Sequence, residues 1–203
     1  MTSRCARIER TTSETSILLN LELDGQGTFQ GTTGLGFLDH MLHLLSHHAG
    51  VDLEIEGSGD LQVDDHHLIE DVGLVLGQAL LAALGDRKGL VRYGSCTLPM
   101  DEVLLTVALD LSGRFAFASN YQPARERVGD FSTEMACHFF RSLACEARMA
   151  LHFHYLNPGN NEHHRLEAQF KGFARALRQA VARDARFPER IPSSKGTLEG
   201  TPE

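Results

Sequence analysis

The pattern His-His-x-x-Glu occurs twice in this chain, as His66-His67-Glu70 and as His163-His164-Glu167. Imidazole nitrogen and carboxylate oxygen form a donor set suited to Mn, Fe, Co, Ni or Zn. Each motif opens a stretch with helical apolar spacing. On a helix, residues three and four positions apart are neighbours, so a glutamate can share a metal with one of its histidines. Adjacent histidines point about 100° apart, so one ion cannot easily take both. Two ions can, if each His-His pair is divided between them. A matching histidine, His40 or His138, precedes each motif. The set is then six histidines and two glutamates, or three histidines and one glutamate per ion, with positions left open for substrate. A six-coordinate ion with spare positions fits Mn or Fe better than a closed tetrahedral zinc. Asp39, Asp64, Asp65 and Asp71 are candidate acceptors for ring N–H groups. His43, His47, His152 and His154 have no repeat partner and read as surface or packing residues.

These motifs need helices at two corresponding places, and the periodicity supplies them. Residues 15–23 read as a strand, 37–48 as a helix, 51–57 as a strand and 65–84 as a helix ending at Gly85. The order then recurs: strand at 103–111, helix at 131–145, strand at 148–156 and helix at 162–183. Gly113 follows its strand as Gly25 follows the earlier one. The chain thus reads as two copies of one half, residues 1–90 and 91–203. The stretch 85–95 is expected as the linker and 184–203 as loop, with Pro188, Pro192 and Pro202.

Composition limits the rest. A charged fraction of 23% and a hydrophobic fraction of 42% suit a folded globular chain of 203 residues. The formal net charge of -8 disfavours nucleic acid and anionic membrane as partners. Cys5, Cys96, Cys137 and Cys145 form no CxxC pair and read as reduced thiols of a cytoplasmic protein. There is no apolar signal core near the N-terminus and no run of about 18 apolar residues, so no membrane span is expected.

The stretches TGLGFLDHML (33–42), DDHHLIEDVGLVLGQAL (64–80), LPMDE (98–102), VGDFSTEM (128–135), HFFRSLA (138–144), HHRLEAQFKGFARALRQA (163–180) and PSSKGTL (192–198) resemble, in order, the imidazoleglycerol-phosphate dehydratase family of histidine biosynthesis. The resemblance implies an α+β fold of duplicated half-domains, each a mixed four-stranded sheet backed by two helices, as in ribosomal protein S5 domain 2. It implies two Mn2+ ions per active site, bound by His40, His66, His67, Glu70, His138, His163, His164 and Glu167. It implies a hydro-lyase acting on a small phosphate substrate. It also implies a homo-oligomer, a 24-mer, with active sites between subunits. Glu14, His48, Arg92, Arg114, Lys171, Ser193, Ser194 and Lys195 match the family's substrate-contact positions. Glu14, His66, Glu70, His163 and Glu167 are the expected catalytic group. Leu44, Ala49 and Asn160 depart from the family's pattern.

A phosphate dianion in a chain of this charge needs concentrated Arg and Lys. The dehydration removes a proton that is not beside a carbonyl, so the imidazole ring must store the electrons. Glu14 is the candidate proton carrier, with metal-bound water as its rival. A di-metal hydrolase would carry more bridging carboxylates than two glutamates. A metal store would leave Arg92, Arg114 and Ser193–Lys195 without a role.

Overall fold

The structure, a computed structural model, describes residues 4–198; the first three and last five residues, the end of the expected C-terminal loop among them, lie outside it. The first half runs β1 (Cys5–Thr11), β2 (Thr15–Glu22), β3 (Phe29–Thr32), α1 (Gly36–Ala49), β4 (Asp52–Gly59) and α2 (His66–Leu84). The second runs β5 (Tyr93–Met100), β6 (Val103–Asp110), β7 (Ala116–Ser119), the short pair β8 (Arg127–Val128) and β9 (Phe131–Ser132), α3 (Met135–Glu146), β10 (Ala150–Asn157) and α4 (Glu162–Ala180). Sheet order is β1-β2-β4-β3 in one half and β5-β6-β10-β7 in the other. The last strand of each sheet runs parallel to its neighbour, β3 to β4 and β7 to β10, and the other pairings are antiparallel. The expected pair of mixed four-stranded sheets, each with two helices, is therefore present.

The alternation seen in sequence decides which face of each sheet is covered. Ile17, Leu19 and Leu21 of β2 and Leu53 and Ile55 of β4 are buried, as are Leu105, Val107 and Leu109 of β6 with Leu151 and Phe153 of β10. Helices cover these faces and then meet helices of the other half: α2 packs on α3 and α1 on α4. Phe139, Phe140, Phe170 and Phe173 fill the space between, all fully buried, with ring centroids 4.7–5.5 Å apart. The helix α2 is long and apolar enough to cross a membrane, with mean hydropathy 1.5, but two thirds of it is buried inside the fold. It is a core helix.

Several expectations change. The first strand read from the sequence begins at residue 15, whereas Cys5–Thr11 already form the edge strand β1. The linker 85–95 is shorter than expected, because β5 begins at Tyr93. The helix expected at 131–145 starts at Met135, after β9. Edge strands bury one face only partly, so their sequences carry little apolar alternation. Pro99 is tolerated in β5 for the same reason.

The approach of α2 to α3 depends on two glycines one turn apart. A Cβ at Gly73 would lie 2.6 Å from the Phe139 carbonyl oxygen, and one at Gly77 would lie 2.5 Å from that of Leu143. Helix backbone cannot yield as a flexible side chain can. Gly77→Ala is expected to destabilise the fold by about 1–3 kcal/mol through overpacking, read as a lower urea midpoint. An unchanged midpoint would show that the two helices are not held at this spacing.

Candidate metal centre

The crossed helix packing brings the sequence-predicted ligands into two clusters. His40 of α1 meets His163 and Glu167 of α4, and His66 and Glu70 of α2 meet His138 of α3. In each cluster the ligand atoms all lie within 4.8 Å of one another. His163 Nε2 is 3.0 Å from Glu167 Oε2, and His66 Nε2 is 3.7 Å from Glu70 Oε2. The centroids of His40 and His163 are 6.0 Å apart, and those of His66 and His138 are 5.2 Å apart. Two imidazoles and one carboxylate converging this way fit a divalent transition metal. Each cluster draws on both halves of the repeat.

The second histidine of each motif stands apart from its cluster, so within the chain each cluster has two histidines, not three. His67 Nδ1 lies 3.1 and 3.2 Å from the Asp60 oxygens and 3.9 Å from Glu14. His164 Nδ1 lies 2.9 Å from Glu102, and its Nε2 is 3.4 Å from Asp101. The hydrogen bond to Asp60 holds the His67 imidazole above its usual pKa, and the bond to Glu102 does the same for His164. The Glu102 carboxyl, hydrogen-bonded to His164 and to backbone N–H groups, falls to about 2.

The helix starts are fixed by polar contacts. The Asn161 side chain caps α4, accepting from His163 N at 3.0 Å and from His164 N at 3.5 Å. Glu162, 2% exposed, accepts from Tyr121 Oη, from Ala124 N at 2.8 Å and from Arg165 at 3.1 Å. Asp130 accepts from Gly36 N at 2.6 Å and Phe37 N at 3.0 Å, tying the start of α1 to the β8–β9 hairpin. From the same hairpin, Ser132 Oγ donates to Asp65 at 2.7 Å, immediately before His66. None of the four expected carboxylates holds a ligand ring. Asp39 is bound to Thr32 and Thr33, Asp64 caps His66 N, Asp65 serves the hairpin, and Asp71 binds Thr15 and Arg10. Asp60 and Glu102 take that place, and no ligand spacing pointed to them.

The remaining candidates divide into two regions. Lys171 Nζ sits 2.5 Å from Glu167 Oε1. Burial alone would raise the Glu167 carboxyl, but Lys171 and His163 outweigh it and hold it below the usual range. His48 is depressed by burial and then by Lys171, which favours its neutral form. Arg92, Ser193 and Ser194 line a cavity of about 540 Å³ with Arg190 and Asp184. Arg92 gives Nε and Nη2 to Asp110, at 2.6 and 2.9 Å, and Nη1 to the Pro192 carbonyl at 2.8 Å. Its backbone is left-handed at φ 77°, a strained state for a residue with a Cβ, and its N–H bonds Ala180 O at 2.9 Å. Arg114 and Lys195 are exposed, on the turn after β6 and on the C-terminal segment. Leu44 packs against the core and Ala49 is buried, so neither departure presents its side chain as an exposed site residue. Asn160 contributes its backbone N–H, 3.3 Å from Glu102.

Known proteins share this frame. The family model for imidazoleglycerol-phosphate dehydratase matches residues 33–177. The imidazoleglycerol-phosphate dehydratase of Heliobacterium modesticaldum is 53% identical over 195 residues, covering 96% of this chain and 100% of its own. That of Desulforamulus reducens is 50% identical over 198 residues, covering 98% and 100%. The crystal structure of the Staphylococcus aureus dehydratase superposes with a TM-score of 0.80 at 41% identity, covering 88% of this chain and 99% of that one. The Pyrococcus furiosus structure gives 0.78 at 33% identity, covering 94% and 99%. With two crossed His/Glu clusters set on this duplicated frame, the chain belongs to the imidazoleglycerol-phosphate dehydratase family, a family of hydro-lyases.

Proposed function

We propose that this chain dehydrates imidazole glycerol phosphate to imidazole acetol phosphate in the cytoplasm, using two Mn2+ ions per active site completed by neighbouring subunits. The observation that carries the reading is the pair of clusters, each of two histidines and one glutamate, in a chain of a dehydratase family. The third histidine of each ion, His67 or His164, comes from another subunit. Its own helix turns it about 100° from the ligand beside it. When bound, the ions supply Lewis acidity and a template for the imidazole ring.

A second observation supports assembly between subunits. Arg92 and the Ser193–Lys195 segment lie by the C-terminal end of α4, through Ala180 O and Pro192 O. His163 opens the same helix, about 25 Å away at 1.5 Å per residue. The substrate has three carbons between ring and phosphate and cannot span that length. The phosphate clamp of one subunit therefore serves the metal cluster of another, and the 24-mer expected of the family provides such contacts.

The chain's residues would divide the work simply. Arg114, Lys195, Ser193 and Ser194 bind the phosphate, with Arg92 anchoring their segment. Lys171 and a neutral His48 stand at the metal side. The ring supplies an electron pair to the adjacent carbon as its hydroxyl departs with the C–O pair. Glu14 then takes the proton from the next carbon, whose C–H pair forms the enol double bond and restores the ring. It passes that proton to the departing hydroxyl, giving water. The resulting enol becomes the ketone.

Metal-stripped protein should show no turnover of imidazole glycerol phosphate and regain it with Mn2+. Product formed without metal, or none with Mn2+, would overturn the reading. Glu14→Gln should lower kcat by about 10²–10⁴ while two Mn2+ per chain remain by metal analysis; wild-type turnover would remove Glu14 from proton transfer. Co-refolding inactive His67→Ala and His138→Ala subunits should restore some activity, since mixed contacts contain sites that draw every ligand from an intact side. No recovery in mixed oligomers would place each site within one chain.

A further inference from the structure

The duplication extends to the tip that carries Glu14. Glu14–Gly25 and Glu102–Gly113 align without a gap, placing Glu14 on Glu102, Leu21 on Leu109, Leu23 on Leu111 and Gly25 on Gly113. The structure agrees with this register. Ile17, Leu19, Leu21 and Leu23 are buried, and so are their counterparts Leu105, Val107, Leu109 and Leu111. Each glutamate immediately precedes the second strand of its sheet, at the tip of the β1–β2 or β5–β6 hairpin. Each tip reaches the outward histidine of its own half, Glu14 towards His67 at 3.9 Å and Glu102 to His164 at 2.9 Å.

The two halves also differ at the residue that follows the strand before each motif. Asp60 directly follows β4, and Pro158 follows β10. In the first half Asp60 occupies His67 Nδ1, and Glu14 is left half exposed. In the second half a proline can offer no carboxylate, and Glu102 occupies His164 Nδ1 itself. It also accepts from Asn161 N at 3.0 Å and Asn160 N at 3.3 Å. A carboxylate can only accept, so the Nδ1 of each neutral ring, hydrogen-bonded to Asp60 or Glu102, carries the hydrogen. Nε2 keeps its lone pair for a ligand bond. At His164 that nitrogen faces the Asn161 amide N–H at 3.4 Å and the Asp101 carboxylate, also at 3.4 Å.

We infer that Asp60 and Glu102 are positioning residues that fix the tautomer and ring orientation of His67 and His164, and that Asp60, by taking over this duty, releases Glu14 for proton transfer. The inference rests on the proposed function in taking His67 and His164 as ligands offered to a neighbouring subunit. One ancestral hairpin carboxylate thus has two present roles. Glu102 is committed to a ring, and its counterpart Glu14 is free because a second carboxylate stands in for it.

Isothermal titration of the assembled, metal-stripped protein with Mn2+ tests this, alongside kcat and KM of the reloaded enzyme. Glu102→Gln keeps an oxygen for the Asn160 and Asn161 N–H groups but loses the charge, and should weaken Mn2+ binding about 10–100-fold. Asp60→Asn should bind Mn2+ within about threefold of wild type, because Glu14 closes on His67. Its kcat should fall at least tenfold with little change in KM, because Glu14 is then occupied. The double variant Asp60→Asn/Glu14→Gln should lose Mn2+ affinity as Glu102→Gln does, whereas Glu14→Gln alone should not. Equal sedimentation and unfolding midpoints of the metal-free variants check that the loss is not one of folding. Wild-type affinity in Glu102→Gln, or a loss in Asp60→Asn as large as in the double variant, would overturn the inference. If the predicted affinities appear but the wild-type enzyme forms no product, the proposed activity falls and the positioning roles stand. Wild-type turnover with affinities unchanged in every variant keeps the activity and removes the positioning roles. Wild-type protein that binds no Mn2+ sinks both.

Discussion

Neighbouring side chains on an α-helix leave the axis about 100° apart, and this angle governs the arrangement of the whole centre. It forbids a His-His pair from closing on one ion, so each motif must serve two directions. His66 and His163 turn inward across the junction between the halves. His67 and His164 turn to the hairpin tips. The inward pair requires a helix of the opposite half at close range, which explains the crossed packing of α1 on α4 and α2 on α3. For α2 it also explains the glycines at 73 and 77, where α3 leaves no room for a Cβ. On the proposed function, the outward pair requires carboxylates that orient the rings without consuming the ligand nitrogen.

Holding four helix starts in register around two clusters takes polar groups in places where burial is costly. Glu162 is the clearest case. A buried carboxylate is tolerable only when its lone pairs are satisfied, and Tyr121, Ala124 N and Arg165 satisfy them. Burial and then the neighbouring Glu162 push the Tyr121 phenol well above its usual range, so it remains a donor. Arg165 in turn bonds the carbonyls of Pro158 and Gly159 at 2.8 and 2.7 Å, fixing the loop that leads into the second motif. The β8–β9 hairpin plays the corresponding part between halves. Through Asp130 it holds the start of α1, and through Ser132 it holds Asp65, the residue before His66, so one small hairpin sets the positions of helices from both clusters.

The main helices and the central strands were legible in the sequence because their burial is one-sided and regular. Edge strands were not. Arg7, Glu9 and Thr11 in β1 are exposed, and Tyr93 and Gly94 of β5 fall within the expected linker 85–95. The ligand motifs were legible because their geometry is local, residues three and four apart on one helix. Which cluster each joins was not, since that depends on how the halves pack, which no local spacing encodes. Asp60 and Glu102 were hidden for a related reason. They reach their rings from loops seven and 62 residues away, whereas Asp39, Asp64, Asp65 and Asp71 stand beside ligands in the sequence without orienting them. The gapless match of Glu14–Gly25 to Glu102–Gly113 was nevertheless present in the chain, and extending the repeat to the hairpin tips pairs Glu102 with Glu14.

The second helix motif also sets a distance. Arg92 spends its guanidinium on Asp110 and on the Pro192 carbonyl, so its effect on phosphate is exerted largely through the segment it anchors. Its strained backbone is held from α4 by Ala180 O and from the other side by Leu111 N at 3.1 Å. The C-terminal segment is thus tied to the far end of the helix that His163 begins. On the proposed function these two ends belong to different active sites, and the rise of a continuous helix fixes the separation between them. Surface loops could drift without altering that spacing, but a residue added within α4 would rotate the ligand face by about 100° and lengthen the span by about 1.5 Å. The repeat therefore constrains the length of α4 more tightly than packing on β5 and β6 alone would.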